Sequence, residues 1–83
     1  MSAATAFAIQ RAIRAERARL GLTQQALADR LGDGWSRSRI AAIETGERSV
    51  NAHELPELCT ALGVTLDTLL HMAPEAERIA LGL

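Results

Sequence analysis

The chain has 83 residues, which fits one domain and excludes two. Apolar residues make up 48% of it and aromatic residues 2%, a balance that favours a compact all-α protein over a disordered or β-rich one. The single cysteine excludes an intrachain disulfide. Neither a signal peptide nor a long apolar run is present, so we expect a soluble, cytoplasmic protein with no membrane contact.

The net charge of −1 conceals an uneven distribution. Residues 1–48 hold eight Arg against five acidic residues, a balance of +3, whereas residues 49–83 hold one Arg against five, a balance of −4. A basic half can be a footprint for nucleic acid, although a solvated helix surface explains the charge equally well. All nine basic residues are Arg, which suits contact with phosphate and guanine, but a GC-rich coding genome explains that choice as well.

Two helices are predicted in the first third of the chain. Residues 4–20 interleave apolar residues with arginines and contain neither Gly nor Pro, so they favour a helix that ends at Gly21. The second helix is predicted over residues 24–31, with Thr23 as its N-cap and Gly32 just after its end. Its core side is formed by Leu27 and Leu31.

A third helix is predicted over residues 37–45, after an Asp33-Gly34 turn. Ser36 is its N-cap, and Gly46 ends it. Two isoleucines three residues apart face the core, which leaves a polar first turn that carries two arginines. Trp35, just before this helix, is expected to fill the core under the turn rather than to stack on a ligand.

The fourth helix lies between about Asn51 and Leu62, and the sequence leaves its start open. Asn51 with Glu54 three residues later resembles a cap, but Pro56 would then fall past the first turn and remove a backbone hydrogen bond. We therefore expect a helix that is regular only from about Leu55.

A fifth, short helix is predicted from Thr65 or Leu66 to His71, with Leu66, Leu69 and Leu70 buried. After Pro74, an apolar stripe with helical spacing is formed by Ala76, Ile79, Ala80 and Leu83. So short a helix does not persist alone in water, so this segment lies against its own core, lies against a second copy, or frays.

Three stretches together resemble one family: "GLTQQALADRLG", "WSRSRIAAIETGER" and "ELPELCTALGVTLDTLL". They are similar to the Cro/repressor-type, or XRE, helix-turn-helix domains, of which the lambdoid phage repressors are the best-known members. The resemblance covers about residues 8–71. It implies an all-α, five-helix, lambda-repressor-like fold and one DNA-binding domain over residues 1–83, in which residues 72–83 are a tail, a short sixth helix or a dimer helix.

The resemblance also implies which residues contact DNA. The third helix would lie in the major groove, where Arg37, Ser38 and Ala42 occupy base-reading positions. Arg39 lies close by and is expected to contact a base as well. Arg can bond guanine O6 and N7 together, whereas Ala offers only apolar contact. Gln24 matches a position that touches the phosphate backbone and often a base. Further backbone contacts are implied for Thr23, Ser36, Arg48 and Ser49.

Two structural consequences of the resemblance are open at the level of sequence. The lambdoid repressors bury an ion pair that Arg17 and Glu44 match here, so we expect Arg17 to bond Glu44 and orient the third helix; the alternative is that Glu44 is exposed to solvent. Family members also have about two fewer residues before the third helix, so Asp33 and Gly34 read as an insertion. The longer turn either bulges outward or rotates the third helix relative to the groove.

No feature of the sequence indicates catalysis. The two histidines lie far apart, Cys59 reads as buried filler, and no metal cluster or phosphate-binding loop is present, so we expect no enzyme, metal or cofactor. We expect a bacterial or phage-encoded transcription regulator, most simply a repressor, that binds a pseudo-palindromic double-stranded DNA operator as a homodimer without a small-molecule ligand. The alternative is an antitoxin-like or adaptor module that uses the same fold to bind a protein.

Overall fold

The computed structural model describes the backbone of residues 3–71 and the side chains of residues 8–69. Within that range the chain forms five helices and no strands, which confirms the all-α prediction. The helices are α1 (Ala3–Arg19), α2 (Gln24–Leu31), α3 (Arg37–Thr45), α4 (Glu54–Leu62) and α5 (Leu66–His71). The predicted apolar stripe after Pro74 lies outside the described residues.

The helices enclose one apolar core to which each of them contributes. α2 packs against α3 and α4, and α1 packs against α3, α4 and α5. The isoleucines of α3 are buried as predicted, and Leu31 at the end of α2 is half-buried. Among the described residues, the large apolar side chains that are fully buried are Ile13, Leu27, Ile40, Ile43, Leu58, Leu62 and Leu69.

Side-chain caps fix the starts of the two central helices at the predicted residues. The Thr23 hydroxyl accepts a hydrogen bond from the Ala26 amide at 3.0 Å, and the Ser36 hydroxyl accepts one from the Arg39 amide at 3.1 Å. Each cap satisfies an amide that has no partner within its helix. α3 ends at Gly46, whose left-handed φ of 85° a side chain would strain. Both ends of α3 are therefore set by local sequence.

α4 begins at Glu54, one residue before the predicted regular start. Pro56 is the third residue of this helix, where its missing N–H is one of those without an intrahelical acceptor, so it costs no hydrogen bond. The Glu54 carboxylate accepts the Asn51 amide at 2.9 Å. This contact is the reciprocal half of a capping box, which explains the cap-like spacing of these two residues.

The prediction that Leu66 is buried is wrong. Leu66 is 45% exposed, whereas Leu69 in the same helix is completely buried. Leu66 is the first residue of α5 and forms one wall of an open apolar groove of about 440 Å³, which no described helix covers. The other walls of the groove are formed by Ala52, Leu55, Pro56 and Cys59.

Candidate nucleic-acid interface

The first turn of α3 faces solvent because the opposite side of the helix is held in the core. Ile40 and Ile43 are 1% and 0% exposed, whereas Arg37 and Ser38 are exposed. Ala42, the third predicted base-reading residue, is half-buried. The start of a helix carries a partial positive charge and unpaired N–H groups, which attract phosphate. This turn therefore combines an anchored helix with an exposed arginine and hydroxyl.

Arg17 of α1 and Glu44 of α3 form a nearly buried ion pair. Arg17 Nε lies 2.6 Å from Glu44 Oε2 and Arg17 Nη2 lies 2.9 Å from Glu44 Oε1, with 15% and 3% of the two side chains exposed. The hydrogen bond to Glu44 raises the pKa of Arg17. Arg17 also donates to the Leu22 carbonyl at 2.7 Å. The pair thus ties α3 to α1 and to the segment before α2.

Gln24 joins the same network from the first position of α2. Its Nε2 donates to Glu44 Oε1 at 3.2 Å, and its side chain is half-buried. The structure therefore brings Gln24 together with the ion pair that holds α3. The remaining predicted backbone contacts Thr23, Ser36 and Ser49 are exposed.

A second charged cluster joins the turn before α3 to the first residue of α4. We call it the Glu54 cluster, and it consists of Trp35, Arg39, Arg48 and Glu54. The Arg39 guanidinium carbon lies 4.0 Å from the centroid of the Trp35 ring, and the group donates to Glu54 and to the Gly34 carbonyl. Arg48 Nη2 donates to the same Glu54 oxygen at 2.9 Å. Glu54 is 1% exposed, and these two arginines supply the opposite charge that a buried carboxylate requires.

The cluster changes the setting of two predicted DNA contacts. Arg39 and Arg48 have side chains 26% and 33% exposed, and the Arg39 Nε and Arg48 Nη1 atoms are buried without a hydrogen-bond partner. Burial, and then the nearby charge of Arg48, lowers the pKa of Arg39, while Glu57 acts in the opposite direction. Both guanidinium groups are therefore directed at Glu54, in contrast to the exposed Arg37.

Sequence reasoning did not find the role of Glu54, which it read only as a helix-cap residue. The capping spacing to Asn51 is a local signal, but the contacts with Arg39 and Arg48 span 15 and 6 residues and have no periodic signature. The sequence gives one indirect signal: Glu54 lies four residues before Leu58, on the side of α4 that faces the core.

The turn before α3 is exposed to solvent and is closed by one backbone hydrogen bond. Asp33 and Gly34 are exposed, and the Trp35 amide donates to the Gly32 carbonyl at 3.2 Å. Gly34 has a left-handed φ of 86°, a conformation that glycine adopts without strain. Trp35 is half-buried and packs against the core under the turn, as predicted, and it also carries Arg39 on its ring.

Among the side chains of residues 8–69, no group of three or more His, Cys, Asp or Glu could hold a metal ion. Cys59 is buried as predicted, and burial raises the pKa of its thiol, which disfavours the reactive thiolate. No helix in the described range is long and apolar enough to cross a membrane.

The comparison with known families identifies the arrangement of α2, the turn and α3. The sequence model of a family described as "Helix-turn-helix" matches residues 13–69, which is more than half of the chain. The chain belongs to the Cro/repressor-type, or XRE, helix-turn-helix family. This XRE-family protein is accordingly a DNA-binding transcription regulator, and the predicted family is confirmed. No curated protein and no solved structure matches the chain.

Proposed function

We propose that this XRE-family regulator is a repressor that binds a pseudo-palindromic operator as a homodimer, with α3 in the major groove. The observation that carries the proposal is the division of α3 into a buried isoleucine face and an exposed polar first turn. A helix held in this way presents its N-terminal residues to base edges without moving its backbone. A repressor of this kind acts by occupying DNA and needs no ligand-binding domain.

The proposed base contacts are centred on Arg37. An exposed guanidinium can bond O6 and N7 of one guanine together, and such a pair contributes about 1–3 kcal/mol of discrimination. Ser38 would add a hydrogen bond to a neighbouring base, and Ala42 would contact a thymine methyl group. Gln24, whose amide already bonds Glu44, would reach a phosphate or a base from the start of α2.

Backbone contacts would set the position of α3 in the groove. Thr23 and Ser36 lie exposed at the N-terminal ends of α2 and α3, where amides and hydroxyls together favour phosphate. Ser49 is exposed in the segment after α3, and its neighbour Arg48 is partly exposed. Each phosphate that the protein neutralises steepens the fall of affinity with salt. The slope of the logarithm of the binding constant against the logarithm of salt concentration changes by about −0.9 per contact.

A homodimer is proposed because one recognition helix contacts too few base pairs to select a site. Two copies related by a two-fold axis would place their α3 helices about 34 Å apart, one turn of DNA. Leu66 and the apolar groove beside it supply exposed apolar surface in the acidic half of the chain, where we expect the dimer contact. The predicted stripe of Ala76, Ile79 and Leu83 is a second candidate in the same half.

Selection of sites from random duplex DNA tests the proposal. Wild type should enrich a two-fold symmetric sequence, and Arg37→Ala should lose preference at one matched base pair in each half-site. Arg14→Ala is the matched control, because Arg14 is an exposed arginine of α1 whose loss removes the same charge. If wild type enriches no sequence at moderate salt, the proposal fails and a protein partner should be sought.

A further inference from the structure

We propose that Arg39 is a positioning residue rather than a base reader, and that the buried Glu54 of α4 determines base specificity by holding the first turn of α3 through it. The inference rests on the proposed function, because it concerns how the recognition helix is held while it reads DNA. It also assigns a role to a residue that itself contacts no base.

The geometry shows that Arg39 is engaged on three sides. Its guanidinium stacks on Trp35, bonds the Gly34 carbonyl, and forms an ion pair with Glu54. These partners belong to the turn before α3 and to the first turn of α4. To reach a base, Arg39 would have to give up all three contacts and leave a 1% exposed carboxylate with less compensation.

The contacts made by Arg39 restrain the turn before α3 and the first turn of that helix. The turn before α3 contains Asp33 and Gly34, both exposed, and glycine gives the backbone wide conformational freedom. Arg37 and Ser38 come three and four residues after Gly34, at the start of α3. Side chains that read bases must be held within about 0.5 Å of the productive geometry. The bond from Arg39 to the Gly34 carbonyl and its ion pair with Glu54 restrain the turn and the helix together.

Arg48 makes Glu54 a shared anchor. It bonds the same carboxylate oxygen as Arg39, and its own carbonyl accepts a hydrogen bond from Gln10 of α1 at 2.6 Å. Two guanidinium groups share one carboxylate, so the cluster has a net positive charge. Both groups are held at Glu54 while its carboxylate is ionised. Removal of the Glu54 charge would therefore release two arginines near the DNA-binding face.

The test uses Glu54→Gln, which keeps the shape of the side chain and removes its charge. On the operator selected by wild type, preference at the base pair assigned to Arg37 should fall by roughly tenfold, within the range that one bidentate pair supplies. Affinity for random duplex should be unchanged or higher, with a steeper dependence on salt, because the released arginines can bind phosphate. Simple destabilisation would lower both affinities together and would not steepen the slope.

Arg39→Met is the second variant. It leaves Glu54 bonded to Arg48 and Asn51, so it should fold even if Glu54→Gln does not. It should weaken the same base pair as Glu54→Gln, and the double variant should be no worse than either single one. Glu47→Gln is the matched control, since it removes the same charge from an exposed position. All affinities are measured at a temperature at which circular dichroism shows each variant to be folded.

Two results would overturn the inference while leaving the proposed function intact. In the first, Arg39→Met loses preference at a base pair of its own, different from that of Arg37, which would make Arg39 a base reader. In the second, Glu54→Gln keeps every base preference of wild type. If wild type selects no site, both the proposed function and this inference fail.

Discussion

Loss of the Glu44 carboxylate should destabilise the protein more than loss of any exposed charge. Glu44→Ala removes both bonds of the pair with Arg17 and the bond from Gln24, and it leaves Arg17 bonded to the Leu22 carbonyl. Breaking one side of a buried ion pair costs about 3–5 kcal/mol. Because 15% of the Arg17 side chain reaches solvent, we expect the lower end, about 3 kcal/mol.

Thermal unfolding measures this loss. For a domain of this size each kcal/mol shifts the midpoint by about 4–8 °C, so Glu44→Ala should melt roughly 12–24 °C below wild type. Glu47→Ala, an exposed change of the same charge, should stay within about 0.5 kcal/mol. Replacement of both partners by apolar residues, Arg17→Met with Glu44→Leu, should recover most of the loss. A Glu44→Ala midpoint equal to that of the control would refute this reasoning.

Three further changes have defined outcomes. Ser36→Ala should cost about 1 kcal/mol in chemical denaturation, because it removes the cap of α3. The hydrogen bond from Arg19 lowers the pKa of Glu16. The pair therefore stabilises the fold at a pH above the ordinary carboxyl pKa, and this stabilisation is lost as the pH falls and Glu16 is protonated. Arg19→Ala should make the free energy of unfolding less dependent on pH in the acid range. Leu66→Glu should change monomer stability by less than about 0.5 kcal/mol and, if the proposed dimer forms through this groove, should shift the protein to monomer in sedimentation.

Helix positions followed from sequence because their signals are local. Thr23 and Ser36 are capping residues that the backbone amides of their own helices require, and Gly46 supplies the left-handed residue that ends α3. The two isoleucines of α3 lie on one face at helical spacing, so their burial also followed from the pattern alone. These features depend on residues within four positions of each other.

The two differences from the predicted helices have different causes. Leu66 has the same chemistry as Leu69, but Leu69 is buried in the core whereas Leu66 lines an open groove, a difference set by tertiary packing. The start of α4 moved to Glu54 because the first-turn position of Pro56 costs no hydrogen bond.

Charged side chains were the least predictable part of the candidate interface. Arg37 and Arg39 are identical in type and two positions apart, yet one is exposed and the other bonds a carboxylate 15 residues away. The pattern of the first turn cannot separate them, since both lie on its polar side. The Arg17–Glu44 pair was expected only through the family resemblance, because its partners are 27 residues apart.

Protection of guanine N7 from methylation by dimethyl sulfate tests the central claim most directly, because N7 lies in the major groove where α3 should bind. On a selected operator, wild type should protect guanines in two symmetric half-sites about 10 base pairs apart. Arg37→Ala should lose protection at one guanine in each half-site and retain the others. If binding leaves every N7 as reactive as in free DNA, α3 does not read the major groove and the account is contradicted.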